Sequence, residues 1–420
     1  MNDRVLLVSP ERLGHGRPAG VGIRMIELAR ALTTAQLEVT VLSPDGAEPE
    51  GTRGRATSPA AILEESRRAG VAIVQGHIAN DFFAHAERIP TVVDMYDPYL
   101  VENLSYASSD HGIWKHDWET TVQSLRRGDF FLCASSLQRA YYIGWLAALG
   151  RINPESFDSD PTLDSILRVV PFGVPPARPI PDKSLESPAI LFGGVYDWYD
   201  PIVAIESAAR ASDSMPGLTL TFVSHPNADE TPQSKLSAAK KYVEKRRLTS
   251  TIRFRDWFPY EERAAVYDRH VAALLTFPRT LETELSFRTR VLDYLWGGLP
   301  VLSSPAAGTD EILDRYEAGA VVESDGPDEV ARDLVKLLSD PSRYRSLVEG
   351  TQRFVRDYQW GDLAAPLVAF CRNPKVDPYS ERFVSFEAGA TVDPPSLFDR
   401  AIRKAKRKFS EIRSSARNTP

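Results

Sequence analysis

Short runs of Val, Leu and Ile alternate along this chain with stretches whose apolar residues recur at helical spacing. "RVLLVSP", starting at Arg4, is a Leu and β-branched run closed by Pro10, and after a glycine-rich loop "IRMIELARALTTA" carries the spacing of an amphipathic helix. "LEVTVLSP", "VAIVQGH" and "PTVVDMY" repeat the strand signal, with helical stretches between several of them. Near-continuous apolar strands separated by helices predict a parallel sheet covered on both faces. A second series then begins at "AILFGGVYDW" and runs through "LTLTFVSHP", "TIRFRDWF", "AALLTFP" and "GLPVLSS". The restart predicts an α/β fold of two tandem Rossmann-like domains with a ligand cleft between their strand ends; the alternative is two independent domains with no shared site.

Between the two series lies "RVVPFGVPPARPIPDKSLESP", too rich in Pro to be strand or helix throughout, which reads as an interdomain linker. The expected division is residues 1–178, 179–372 and a tail, 373–420. In the tail the periodicity first lapses, and then "SLFDRAIRKAKRKFSEIRSS" sets Phe398, Ile402, Ala405, Phe409 and Ile412 at helical intervals among six cations. A basic amphipathic helix over 396–417 is expected, lying either on an anionic membrane surface or, as a solvated face, on the protein itself.

Length agrees with this division, since 420 residues exceed one ordinary core of roughly 150. Hydrophobic residues at 43% and charged residues at 25% are those of a globular chain, and a net charge of −7 argues against generic nucleic-acid binding. Cys133 and Cys371 are far apart in sequence and give neither a disulfide framework nor metal-ligand spacing, which points to a reducing compartment. The first apolar run is short for a signal peptide, and no run nears the roughly 18 residues of a membrane span, so a cytoplasmic location is expected. The histidines form no H-E-x-x-H and no close pair with acids, which argues against a tight catalytic metal site.

One stretch stands out for its charge. "LSFRTRVLDYLWGGLPVLSS", 285–304, reads as a helix capped by Ser286, a Gly-Gly-Leu-Pro turn and a buried strand, and it sets Arg288 and Arg290 in the first helical turn. A helix N-terminus disfavours cations, and free N–H groups with arginines bind phosphates, so a diphosphate belongs there. Asp293 follows Arg290 by three positions, on nearly the same face, and is placed to accept hydrogen bonds from sugar hydroxyls. The competing reading is an internal ion-pair net among Glu282, Glu284, Arg288, Arg290 and Asp293. In the first half, Gly20 and Gly22 open a helix with Arg24 in its first turn, either a second anion site or only a tight strand-to-helix turn. Trp257 either borders a nucleobase or packs in the core. His77, where "VAIVQGH" ends, either touches substrate or is a satisfied core histidine, and the same holds for His225 in "FVSHPN".

"FRTRVLDYLWGGLPVL" resembles the nucleotide-binding segment of the retaining, GT-B-fold glycosyltransferases of the large fourth family. "GVGIRMIELARAL", "VVPFGVPP", "LFGGVYDWYDP" and "IRFRDWFPYEERAAVYDRHVAALLTF" are similar to that family's first glycine-loop helix, interdomain segment, second glycine loop and nucleobase region. "GGVYDWYDP", "SHPN" and "LSFRTRVLDYLW" together resemble a bacterial subset of cell-envelope and surface-polysaccharide assembly. The resemblance implies that 1–178 faces the acceptor and 179–372 binds the nucleotide sugar. It gives Asp293 to the ribose hydroxyls, Arg290 to the diphosphate with Thr289 as a backbone donor, and Gly193 and Gly194 to close approach by the donor phosphates.

The chain also departs from that pattern. The second glycine loop carries Asp197 and Asp200 where family members usually have an Arg and a Lys, so Arg288 and Arg290 are left to meet the leaving-group charge. The family's leading glutamate falls on Leu285, which leaves Glu284, or Glu282, as the displaced acid. The family's first-domain histidine aligns with Tyr96, so Asp97 is the expected acceptor-side or donor-sugar contact, against a turn or cap before Pro98. The implied activity is transfer of a hexose from a nucleotide-diphosphate sugar to an acceptor hydroxyl, with retention and without metal or other cofactor, onto a glycan or lipid-linked acceptor. Alternatives are a catalytically degenerate nucleotide-sugar-binding scaffold, an epimerase on the same fold, and an exported sugar-binding protein, which the absent signal peptide disfavours.

Overall fold

The computed structural model describes residues 3–380 apart from 15–19, 105–110, 196–198, 225–233, 260–261, 307 and 323–325. The expected tail helix, Asp197 and His225 lie outside the described residues. The first apolar series forms β1 (Arg4–Val8), β2 (Glu38–Ser43), β3 (Arg53–Ala56), β4 (Val71–Gln75), β5 (Thr91–Asp94), β6 (Phe130–Cys133) and β7 (Leu167–Val169). The second forms β8 (Ala189–Gly194), β9 (Thr219–Val223), β10 (Ile252–Arg255), β11 (Ala272–Leu275), β12 (Val301–Ser303) and β13 (Gly319–Val321).

Their orders are β3-β2-β1-β4-β5-β6-β7 and β10-β9-β8-β11-β12-β13, with parallel pairing throughout. Alternate residues of β1 explain the continuous apolar run. Val5 and Leu7 belong to one buried cluster and Leu6 and Val8 to the other, so both faces of the sheet are covered. The larger cluster also holds Phe192 and Phe222 of the second sheet. The helix Gly20–Thr34 buries Met25, Leu28 and Leu32 against the first sheet and ends where Gln36 turns left-handed, at φ 66°.

Pro179 falls in the stretch between β7 and β8, beside Ile180, whose side chain packs under Gly298. The chain later crosses back to its first half, across the division expected at residue 372. Phe370 stacks on Phe130 at 4.5 Å, Arg372 donates to the Ala35 carbonyl at 3.2 Å, and buried Arg151 pairs with Asp377. Cys133 and Cys371 are buried free thiols. Among the described residues no helix is long and apolar enough to cross a membrane.

Candidate active site

In both sheets the strand order reverses beside the first strand, between β1 and β4 and between β8 and β11, and ligands of such sheets bind at that point beyond the strands' carboxyl ends. At the end of β8 a register shift between Leu191 and Gly193 and a left-handed Gly193, φ 67°, bend the chain. The space that side chains would fill there is already taken. A Cβ on Gly193 would collide with the Tyr294 hydroxyl, and one on Gly194 would lie 2.7 Å from Arg290 Nη2. These glycines therefore admit the arginine, whose Nη1 donates to the Gly194 carbonyl at 2.7 Å.

The helix behind Arg290 starts later than expected. Ser286 closes a short helix, Leu281–Leu285, and the next, Thr289–Trp296, opens at Arg288 with no side-chain cap. Phe287 is the reason: its buried ring stacks with Phe172 of the first half at 6.4 Å, so the chain breaks between the helices to seat it. Freed from capping, the Ser286 hydroxyl donates to Glu102 Oε1 at 2.8 Å. The Thr289 N–H, expected to meet a phosphate, donates instead to the Phe287 carbonyl at 3.0 Å.

The competing ion-pair net is realised only in part. Arg288 is buried, pairs with Glu282 at 2.7 Å and lies over the Phe277 ring at 4.8 Å, while its Nε has no hydrogen-bond partner. Glu284 points away, exposed to solvent, because two residues along a helix is a little over half a turn. Glu282, not Glu284, is thus the acid that meets Arg288. Asp293 is half-buried, 3.8 Å from Arg263; burial pushes its carboxyl above the ordinary range, against the pull of Arg263 and Arg290.

Across from these groups the first sheet supplies acids rather than cations. Arg24 is sealed inside: Nε and Nη2 form a bidentate pair with Asp94 at 2.6 and 2.9 Å, and neither side chain is solvent-accessible. Nη2 also donates to the Val170 carbonyl at 2.9 Å, and the Tyr96 and Phe172 rings lie 5.1 and 5.0 Å away. Arg24 is therefore a core strut, not an anion ligand, since its charge is already met where water and ligand do not reach. The N–H of Gly22 donates to Glu11 at 2.9 Å, so a carboxylate of the chain itself occupies that helix start. Gly20 faces the Tyr96 hydroxyl, 3.4 Å from where its Cβ would be.

Asp97, after β5, is half-buried beside Glu102. Burial, then the charge of Glu102 and a hydrogen bond to it, pushes the Asp97 carboxyl well above the usual range, with Glu11 and Glu282 adding to the shift. Beside Glu102, the Asp97 carboxyl therefore keeps its proton to higher pH than a free one. Gln138 ties this edge to the second half, donating to the carbonyls of Tyr96 at 2.9 Å and Leu285 at 2.8 Å. The His77 ring packs 4.0 Å from Tyr99, and burial lowers its pKa.

Trp257 is not brought to this group. It stacks on Phe258 at 5.5 Å and lines, with Arg255 and His270, a hollow of about 480 Å³ that shares no residue with the Arg290 cluster. The structure adds Glu11, Glu102, Arg263 and Tyr294, which the sequence did not single out. Only Tyr294 had a usable signal, as the neighbour of Asp293. Among the described residues no three His, Cys, Asp or Glu side chains group as a metal ion would need.

The raised Asp97 carboxyl has a measurable consequence. The folded protein keeps a proton there at pH values where an unfolded Asp, of pKa about 3.9, has lost it, so stability falls as pH rises from about 4 toward the raised value. Asp97→Asn should flatten that fall in thermal melts taken across the range; the same slope in both proteins would mean the proton is held elsewhere.

No curated protein matches the chain. Residues 188–340, which contain the whole second sheet, match the family model "Glycosyl transferases group 1". Among solved structures it is similar to a sucrose-phosphate synthase from Thermosynechococcus elongatus, with TM-score 0.66 and 16% identity over 88% of this chain and 98% of that one. It is also similar to Anabaena HepE, solved with UDP-glucose, at TM-score 0.61 and 12% identity over 87% and 98%. A third is WaaG, a glycosyltransferase of lipopolysaccharide biosynthesis, at TM-score 0.60 and 14% identity over 88% and 100%. The two parallel sheets and the solved neighbours give this chain the GT-B fold, and residues 188–340 of it match the glycosyl transferases group 1 model.

Proposed function

We propose that this protein is a retaining glycosyltransferase that moves a hexose from a nucleotide-diphosphate sugar to an acceptor hydroxyl. The observation that carries the reading is Arg290, held on the Gly194 carbonyl at the carboxyl end of β8, with Asp293 one turn along the same helix. A guanidinium there meets a diphosphate, and a half-buried carboxylate beyond it accepts from ribose hydroxyls. UDP-glucose in the Anabaena neighbour supports this donor class.

As the bond from the anomeric carbon to the diphosphate oxygen breaks, charge grows on the diphosphate and Arg290 stabilises it in place. The acceptor oxygen bonds to the same face of that carbon, and its proton passes to the departing diphosphate. No metal is required by this scheme. Asp97, beside Glu102 on the opposite wall, holds the acceptor or the donor-sugar hydroxyls, and Glu282 rather than Glu284 completes that wall. Drawing the two halves together would exclude water and limit hydrolysis of the donor. The lipopolysaccharide role of the WaaG neighbour supports a place in bacterial surface glycan assembly, at the cytoplasmic face of the membrane, with a glycan or lipid-linked acceptor.

A scaffold that binds a nucleotide sugar without turnover is the second reading, favoured by one observation: Glu282 already neutralises Arg288. A thermal-shift panel of nucleotide-diphosphate sugars tests the first step, because a ligand that binds only the folded state raises the melting temperature by mass action. One or two donors should shift the melt, and the same donors should be hydrolysed slowly without acceptor. A shift with neither hydrolysis nor transfer selects the scaffold; no shift from any donor overturns both.

A further inference from the structure

Parallel strands send alternate side chains to opposite faces, and one face of the second sheet is left partly open at its β10 edge. Arg253 lies beside Thr221 in the β10–β9 register, so Thr219, Thr221, Arg253 and Arg255 share a face, while Phe222 and Phe254 stack on the other at 5.4 Å. The connection from β10 to β11 crosses the open face with a helix of only five residues, Arg263–Tyr267. Beneath it remains the hollow of about 480 Å³, lined by Trp257 from one end of that connection and by Arg269 and His270 from the other. Ala189 and Thr219, the first residues of β8 and β9, also line it. The hollow therefore reaches the amino ends of these strands, whereas the Arg290 cluster stands at the carboxyl end of β8.

What this wall lacks is acceptors. Arg253, Arg255 and Arg269 all line it, and among the described residues none of them forms an ion pair, not even with Asp256, which lines it too. Arg255 is held instead over the Phe258 ring at 5.2 Å. The Thr219 and Thr221 hydroxyls make no hydrogen bond among the described residues, and the indole N–H of Trp257, shut off from water, has no partner. His270 adds no charge. Its Nδ1 donates to the Val266 carbonyl at 2.7 Å, and burial, with the charges of Arg255, Lys183 and Arg269 acting the same way, lowers the imidazole to about 4. Unpaired guanidiniums in one concave place draw anions, and their planar forks match phosphate oxygens. The volume is that of a small-molecule site, with room beyond a bare phosphate for a group that meets the two hydroxyls.

We propose that this hollow is a second ligand site, which takes the phosphate monoester of a small polyol, with Arg255 and Arg269 on the phosphate and Thr219 and Thr221 on the polyol hydroxyls. The site stands apart from the Arg290 cluster and does not rest on the glycosyltransferase reading. The test is titration calorimetry of the full-length protein with ribose 5-phosphate, inorganic phosphate and ribose. Ribose 5-phosphate should bind, inorganic phosphate should bind more weakly, and ribose should not bind. Arg255→Gln/Arg269→Gln should weaken ribose 5-phosphate at least about tenfold, and Thr221→Val should weaken it while leaving inorganic phosphate unchanged. Should the double variant melt early, Arg269→Gln alone, a change at an exposed side chain, carries the comparison. Arg290→Ala should bind ribose 5-phosphate as the parent does, and the double variant should keep the nucleotide-sugar thermal shift, which separates failure here from failure of the proposed function. Equal binding by parent and double variant, or no binding of ribose 5-phosphate at millimolar concentration, would overturn the site. So would loss of binding in Arg290→Ala, because the phosphate would then sit in the donor site. Inorganic phosphate binding as tightly as the ester would overturn the assignment of a monoester.

Discussion

Arg290→Ala is expected to lower kcat/KM for glycosyl transfer by about 10² to 10³-fold and to abolish the thermal shift given by the donor, the scale found when one preorganised charge-stabilising donor is removed. The guanidinium does not float at the surface. Gly194 anchors it, the Tyr199 ring lies 5.9 Å beneath it, and two glycines clear the space it fills. Lysine in its place would keep the charge but lose the planar fork, so Arg290→Lys should recover only part of the rate. Arg288→Met is the contrast. With Glu282 already on Arg288, that change should act first on stability and leave donor binding measurable. Should Arg290→Ala keep the full shift while Arg288→Met loses it, the phosphate site lies at Arg288.

The second large effect is on folding. Arg24→Met strands the Asp94 carboxylate in a site with no solvent access and should cost about 3–5 kcal/mol, read as a lower denaturant midpoint at unchanged slope. The pair as a whole is expected to contribute far less, because desolvating two ions offsets most of their attraction. Arg24→Met/Asp94→Leu should therefore recover most of the loss. A double variant as unstable as the single one would show that the Val170 carbonyl and the flanking Tyr96 and Phe172 rings, rather than the charge pairing, hold this part of the core.

Much of the architecture was legible because parallel strands buried on both faces leave unbroken apolar runs. "RVLLV", "VAIVQ" and "AALL" became β1, β4 and β11 as read. β3 was not, since "RGRA" is an edge strand with almost no apolar content, and β13 is only "GAV". The site was harder. Arg24 and Arg290 look alike in sequence, each a cation near the start of a helix. Asp94, seventy residues away along the chain, decides that one of them is a strut. Ser286 reads as a cap, yet Phe287 must reach Phe172 and moves the helix start onward.

The sequence by itself determined the class of fold, its duplication and the placing of a cation and a carboxylate on the helix before β12, because those depend on local periodicity and on spacing within one helix. Tertiary structure alone decided which charges remain available. Burial selects Glu282 from the neighbouring acids for Arg288 and sets Asp97 beside Glu102, and pairing across seventy residues consumes Arg24 against Asp94. Pairing of that kind depends on distances through space, and the order of residues along a chain does not encode them locally.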